Sequence, residues 1–127
     1  MQKIVVGYNE SPVSERALRR GIELAGFYQA KLVITSVVPV AIGNEPPSRP
    51  GPELLRAGET AAGLGVQPEL VEAIGDPAEA IVEVAERQGA DLVIVGTREP
   101  SQVERMLGQS VSEGVQRRAH CDVLIVH

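Results

Sequence analysis

The chain has 127 residues, 43% of them hydrophobic, enough to bury one core in one domain without disulfides or a structural metal. Its 12 basic and 17 acidic residues leave a net charge of −5, a field that repels nucleic acid and anionic lipid surfaces and argues against both as general partners. One cysteine, Cys121, rules out an intrachain disulfide, and with only His120 and His127 there is no zinc-ligand spacing. A reducing, cytoplasmic setting is expected. The opening MQKIVVGYNESP lacks the apolar stretch of a signal peptide, and no segment approaches the ~20 apolar residues of a membrane span.

Five short apolar runs are predicted strands: KIVVGY (3–8), KLVITSVV (31–38), LVEAI (70–74), DLVIVG (91–96) and DVLIVH (122–127). Four are continuous β-branched or leucine-rich runs, as in parallel strands buried on both faces, while the third alternates and suits a sheet edge. The first strand leads directly into SPVSERALRRGIELAG (11–26), a predicted helix with Ser11 as N-cap, Pro12 at its first position and Leu18, Gly21, Ile22 and Ala25 facing inward. After the second strand, VAIGNEPPSRPGP (40–52) carries four prolines, which exclude a continuous helix and predict a surface loop. A short helix with a weak apolar face is predicted over 53–62.

The segment DPAEAIVEVAERQG (76–89) has the clearest helical period, with Ala78, Ile81, Val82 and Ala85 on one face. Asp76 is its expected N-cap, Pro77 its first residue, Glu79 the partner in a capping box and Gly89 its C-terminal stop. Past the fourth strand, Ser101 with Glu104 and Ser110 with Glu113 form two further capping-box patterns, and Gly108 can end the short helix between them. Strands alternating with about four helices predict right-handed crossovers: an α/β domain with a doubly wound, open, five-stranded parallel sheet over residues 1–127.

The stretches KIVVGYNESPVSERAL, EAIGDPAEAIVEVAERQGADLVIVGTR and SVSEGVQRRAHCDVLIVH, in this order, closely resemble the universal stress protein family. The resemblance implies a Rossmann-like, nucleotide-binding-like domain with strand order 3-2-1-4-5. It also implies a ligand crevice where strands one and four diverge, the general binding place of such sheets. Nucleotide-binding members carry Gly, two residues, Gly, nine residues, then Gly-Ser or Gly-Thr after strand four. Laid onto this chain, only Gly96 and Ser110 fit; Glu99 and Gln109 replace the other two glycines, and Gly108 lies one residue early.

Glu99 opposes phosphate binding in two ways. It precedes Pro100 and is pushed toward extended conformations, away from the positive φ that glycine allows. Its carboxylate also repels a triphosphate: at ~5 Å and an effective dielectric near 20, the Coulomb cost is about 3 kcal/mol per unit charge before screening. Gln109 keeps an amide donor but fills space that glycine leaves open. Arg98 is a candidate phosphate contact or a solvated surface arginine, and Ser110 with Val111 begins a helix whose free N–H groups suit an anion. By resemblance, Gly7, Tyr8, Asn9 and Ser11 at the strand-one exit, Val37 at the strand-two exit, and Gly96 and Thr97 at the strand-four exit border the same crevice. Nucleotide-binding members place an aspartate at the Asn9 position; Asn9 keeps hydrogen bonding without the charge and reads as a turn residue before a ligand contact. Tyr8 either stacks on a base or plugs the crevice.

Cys121 is expected to be a small buried packing residue, His127 to be solvated, and His120 to lack the partners of a catalytic base. Three functions follow. The first is a non-catalytic stress-response protein acting through dimerisation and contacts with another protein, its nucleotide loop degenerate and no cofactor certain. The second is a switch that binds ATP or AMP weakly through Gly96, Arg98, Ser110 and the Val37 backbone. The third, an adenylating enzyme, is disfavoured because YNESPVS stands where such enzymes carry an SGGxDS-like loop. The last strand, Asp122, Val123, Leu124, Ile125 and Val126, is apolar and lacks the lysine or proline that protects an edge, so a homodimer through it is expected.

Overall fold

The computed structural model describes residues 1–38, 49–97 and 110–127. Its elements, in chain order, are β1 (Lys3–Gly7), α1 (Pro12–Tyr28), β2 (Lys31–Val38), α2 (Pro52–Gly63), β3 (Pro68–Ile74), α3 (Pro77–Gln88), β4 (Leu92–Gly96), α4 (Val111–Arg118) and β5 (Asp122–Val126). All strand pairs are parallel, in the order β3-β2-β1-β4-β5. The expected doubly wound sheet and its strand order are therefore observed.

Alternation along each central strand sorts its side chains onto two faces. Ile4 and Val6 of β1, with Leu32, Ile34 and Ile94, pack beneath α1 and α2; Val5, Val33, Val93 and Val95 pack beneath α3 and α4. Because both faces are covered, β1, β2 and β4 read as unbroken apolar runs. Each fully buried Val, Leu or Ile contributes roughly 1.5–3 kcal/mol relative to exposure.

Three caps follow the expected chemistry. The Ser11 hydroxyl accepts from the Ser14 N–H, Asp76 accepts from the Glu79 N–H, and Ser110 accepts from the Glu113 N–H. Gly89 closes α3 in the left-handed conformation, with φ 66°. The Glu79 carboxylate, however, does not complete a capping box: it lies 3.6 Å from an Arg118 guanidinium nitrogen, drawn across to α4 by charge.

Helix α1 runs past Gly26 to Tyr28 and stops on Gln29, whose φ of 55° lets Gln29 and Ala30 both donate to the Ala25 carbonyl. Helix α2 buries Leu54, Ala57, Gly58 and Ala61, a stripe of mostly small side chains that explains its weak sequence signal. Strand β3 begins two residues earlier than expected, at Pro68, a residue tolerated at the start of an edge strand. Most of the proline-rich stretch and the short helix expected after Ser101 lie outside the described residues.

Candidate functional site

The crossovers part between β1 and β4: β1 leads to α1 on one face of the sheet, while α3 and α4 flank β4 on the other. At the C-terminal ends of these strands lies a cavity of ≈ 190 Å³, its wall formed by Gly7, Tyr8, Asn9, Ser11, Val13, Ser14, Thr35, Val37, Pro77, Ile81, Val95, Gly96, Val111 and Ser112. Seven of the sequence-predicted site residues are thus brought together: Gly7, Tyr8, Asn9, Ser11, Val37, Gly96 and Val111. Thr97 and Ser110 flank the wall without lining it. The Thr97 N–H donates to the Val126 carbonyl at 2.7 Å, and Ser110 caps α4. Arg98, Gly108 and Gln109 lie outside the described residues.

The lining residues missed in the sequence are Val13, Ser14, Thr35, Pro77, Ile81, Val95 and Ser112. Several share one legible signal: in a doubly wound sheet, the first turn of each helix that follows a strand stands at this end of the sheet. First turns of α1, α3 and α4 all reach the wall, so the positive ends of three helix dipoles converge on a cavity whose described wall carries no charged side chain. Val111 and Ser112 are the first two residues of α4, positions whose N–H groups have no acceptor within the helix.

Two glycines shape the floor. A Cβ at Gly96 would sit 2.9 Å from the carbonyl carbon and oxygen of Val13, so the first turn of α1 approaches this strand closely only because the side chain is absent. A Cβ at Gly7 would meet Ile81 Cδ1 at 2.9 Å. On the far wall, the β1–β2 ladder closes where the Tyr8 N–H donates to the Thr35 carbonyl at 2.9 Å, while β2 continues to Val38. With the two-residue period of a strand, Val37 presents its amide to the same side as Thr35, beyond the last rung.

The polar side chains Asn9, Ser11, Ser14 and Thr35 have hydrogen-bond partners within the protein. Asn9 Oδ1 accepts from the Ser11 N–H at 3.1 Å and from the Ser11 hydroxyl at 2.6 Å, an Asx turn. The Ser14 hydroxyl donates to the Ser11 carbonyl at 3.0 Å, and the Thr35 hydroxyl to the Val71 carbonyl at 2.8 Å. Tyr8 is 5% exposed and its ring belongs to the core beneath α1 and α2, where its hydroxyl bonds to Glu15. Burial, reinforced by the Glu15 hydrogen bond and charge, drives the phenol pKa well above its ordinary value.

At the opposite end of the sheet, His120 Nδ1 lies 3.1 Å from Glu86 on the surface, so this histidine has an acid partner that its sequence neighbours do not supply. Cys121 is half-buried, a correction to the buried position expected, because β5 lies at the sheet edge; burial, with Asp122 and other nearby carboxylates, pushes its thiol pKa up. His127 is exposed, and its carbonyl accepts from Arg16 Nε at 3.0 Å. Among the described residues, no cluster of three or more His, Cys, Asp or Glu could hold a metal, and no helix is long and apolar enough to cross a membrane.

A parallel sheet wound on both faces, with its cavity at the strand-order reversal, defines the class: Rossmann-like α/β domains. Within that class, the family model for the universal stress protein family matches residues 1–127. The chain is 34% identical over 140 residues to universal stress protein MJ0531 of Methanocaldococcus jannaschii, covering 98% of this chain and 81% of the relative. It is 34% identical over 144 residues to universal stress protein YxiE of Bacillus subtilis, covering 98% and 97%. Among solved structures, a universal stress protein in complex with cAMP matches with a TM-score of 0.81 at 31% identity, covering 99% of this chain and 97% of that one. The chain belongs to the universal stress protein family.

Proposed function

We propose that the protein is a non-catalytic stress-response protein whose crevice takes an adenine nucleoside monophosphate, AMP or cyclic AMP, in preference to magnesium-bound ATP. The observation that carries this reading is the cavity itself, with three helix starts converging on it and the Val37 backbone beyond the last rung of the ladder. A helix start favours an anion by its dipole and its free N–H groups. A strand backbone can pair with the edge of a base whatever its side chain is. The related protein solved with cAMP adds support, since the match covers 99% of this chain.

Discrimination against the triphosphate rests on charge. Glu99 adds a negative charge to the loop segment that phosphate-binding relatives build from glycine. A ligand with one phosphate meets less of that repulsion than one with three. Among the described residues, the cavity wall holds no paired acid and base.

Titration calorimetry with AMP, cyclic AMP and ATP, with and without magnesium, tests the reading on protein checked for co-purified nucleotide. Binding of AMP or cyclic AMP at micromolar levels, with ATP weaker, is the expected result. Glu99→Gly should tighten ATP about tenfold, by removing a screened like charge, and AMP less. Absence of heat with millimolar AMP and cyclic AMP would overturn the reading.

Assembly is part of the proposal. Strand β5 pairs with β4 on one side and is the last strand of the sheet on the other. Val126 turns its carbonyl toward the Thr97 N–H, so by strand alternation Val123 and Ile125 direct their backbone groups outward. A second copy of the strand would satisfy them, giving a homodimer that presents its crevices to a further protein.

A further inference from the structure

The turn between β1 and α1 holds Glu10 at φ 62°, the left-handed region in which any residue but glycine crowds its own backbone. Its neighbours Asn9 and Ser11 line the crevice; Glu10 does not. The Glu10 carboxylate instead reaches α2, where Arg56 donates to its Oε2 from Nε at 3.2 Å and from a terminal guanidinium nitrogen at 2.6 Å. The two residues are 46 positions apart, so nothing local dictates the contact.

The local bonds of the turn would tolerate a glycine at this place equally well. Asn9 Oδ1 accepts from Ser11, the Ser14 N–H donates to the Ser11 hydroxyl at 3.2 Å, and the Asn9 N–H donates to the Ser14 hydroxyl at 3.3 Å. None of these involves the Glu10 side chain. What the glutamate adds is a charge-assisted pair of bonds to a neighbouring helix, which offsets the cost of its backbone. With 58% of the Arg56 side chain and 35% of the Glu10 side chain exposed, solvent screens the pair without separating it.

We infer that Glu10 and Arg56 form a clamp that keeps the β1–α1 turn left-handed and so holds Asn9 and Ser11 against the crevice, making Arg56 a positioning residue for the ligand. The inference rests on the adenine-monophosphate reading for its ligand, but the clamp itself is a property of the free protein. It links the occupancy of the crevice to α2, the helix that follows the proline-rich stretch. Glycine at position 10 would hold the same conformation without strain, and the clamp would then be dispensable.

The test compares Arg56→Gln, Glu10→Gly and the double variant with the unaltered chain, by AMP calorimetry and by amide hydrogen exchange at Ser11 and Ser14 in the free protein. Arg56→Gln should weaken AMP about threefold or more and speed exchange at both amides. In the Glu10→Gly background, the same change should alter neither. Unchanged turn exchange in Arg56→Gln would overturn the inference, as would an equal loss of affinity in the glycine background, which would mean that Arg56 acts by another route. If the unaltered chain binds no AMP, the ligand reading fails, and exchange alone decides whether the clamp exists.

Discussion

At the scale of single residues, two positions with plain sequence meanings acquire tertiary ones. Tyr8 stands at the mouth of the crevice in the chain, yet its ring serves the core and its hydroxyl is committed to Glu15. Its raised pKa makes the folded state hold a proton that the unfolded state releases above the ordinary value of 10.0. The Tyr8 contribution is therefore complete below that pH and is lost as pH rises past it. Alkaline denaturation monitored by circular dichroism should show stability falling above about pH 10, and Tyr8→Phe should flatten that limb. Gly96 is the other case. It matches the first glycine of a phosphate loop, but its absent side chain also admits the backbone of Val13. Gly96→Ala should lower stability by about 1–3 kcal/mol in urea, because α1 must move to make room. The displaced turn should weaken AMP as well, a second readout by calorimetry.

At the scale of elements, caps and periodicity carry most of the definition. Asp76 both accepts from the Glu79 N–H and places Pro77 at the first helical position, so α3 begins against the crevice wall. Asp76→Ala should cost about 1 kcal/mol in thermal or chemical denaturation, the typical loss of an N-cap. Helix α3 was legible because its bulky residues recur on one face; α2 was faint because Ala57, Gly58 and Ala61 give a stripe with little hydrophobic contrast. Only its placement against β3 explains those residues: a Cβ at Gly58 would come within 3.0 Å of Leu70. Helix α1 runs beyond the 11–26 span that its pattern predicts: Gly26 is exposed within the helix, which closes three residues later on Gln29.

At the scale of the whole molecule, the proposed homodimer depends on β5. Ile125→Pro removes an outward N–H while leaving the bonds to β4 intact, since Leu124 and Val126 face that strand. Light scattering should give twice the chain mass of 13.5 kDa for the unaltered chain and the single mass for the variant. A monomer for both would remove the dimer from the proposal. Strand β4 lies between the crevice and β5, and Thr97 bonds to Val126 at their junction. A ligand at the strand-four exit thus sits one strand from the proposed interface.

The order and type of the described elements, the caps at Ser11, Asp76 and Ser110, and the class of fold are all written in the chain. Those features follow from contacts between residues a few positions apart and from the burial of continuous runs, and both leave their period in the chain. Family resemblance added the strand order and the place of the crevice. The tertiary structure alone decided which core residues become cavity wall, such as Thr35 and Ile81, and that Tyr8 turns toward Glu15 in the core. It also decided that Glu10 meets Arg56 and that Gly96 lies beneath Val13. These depend on how helices separated in sequence settle on the sheet, a packing outcome for which no local pattern exists.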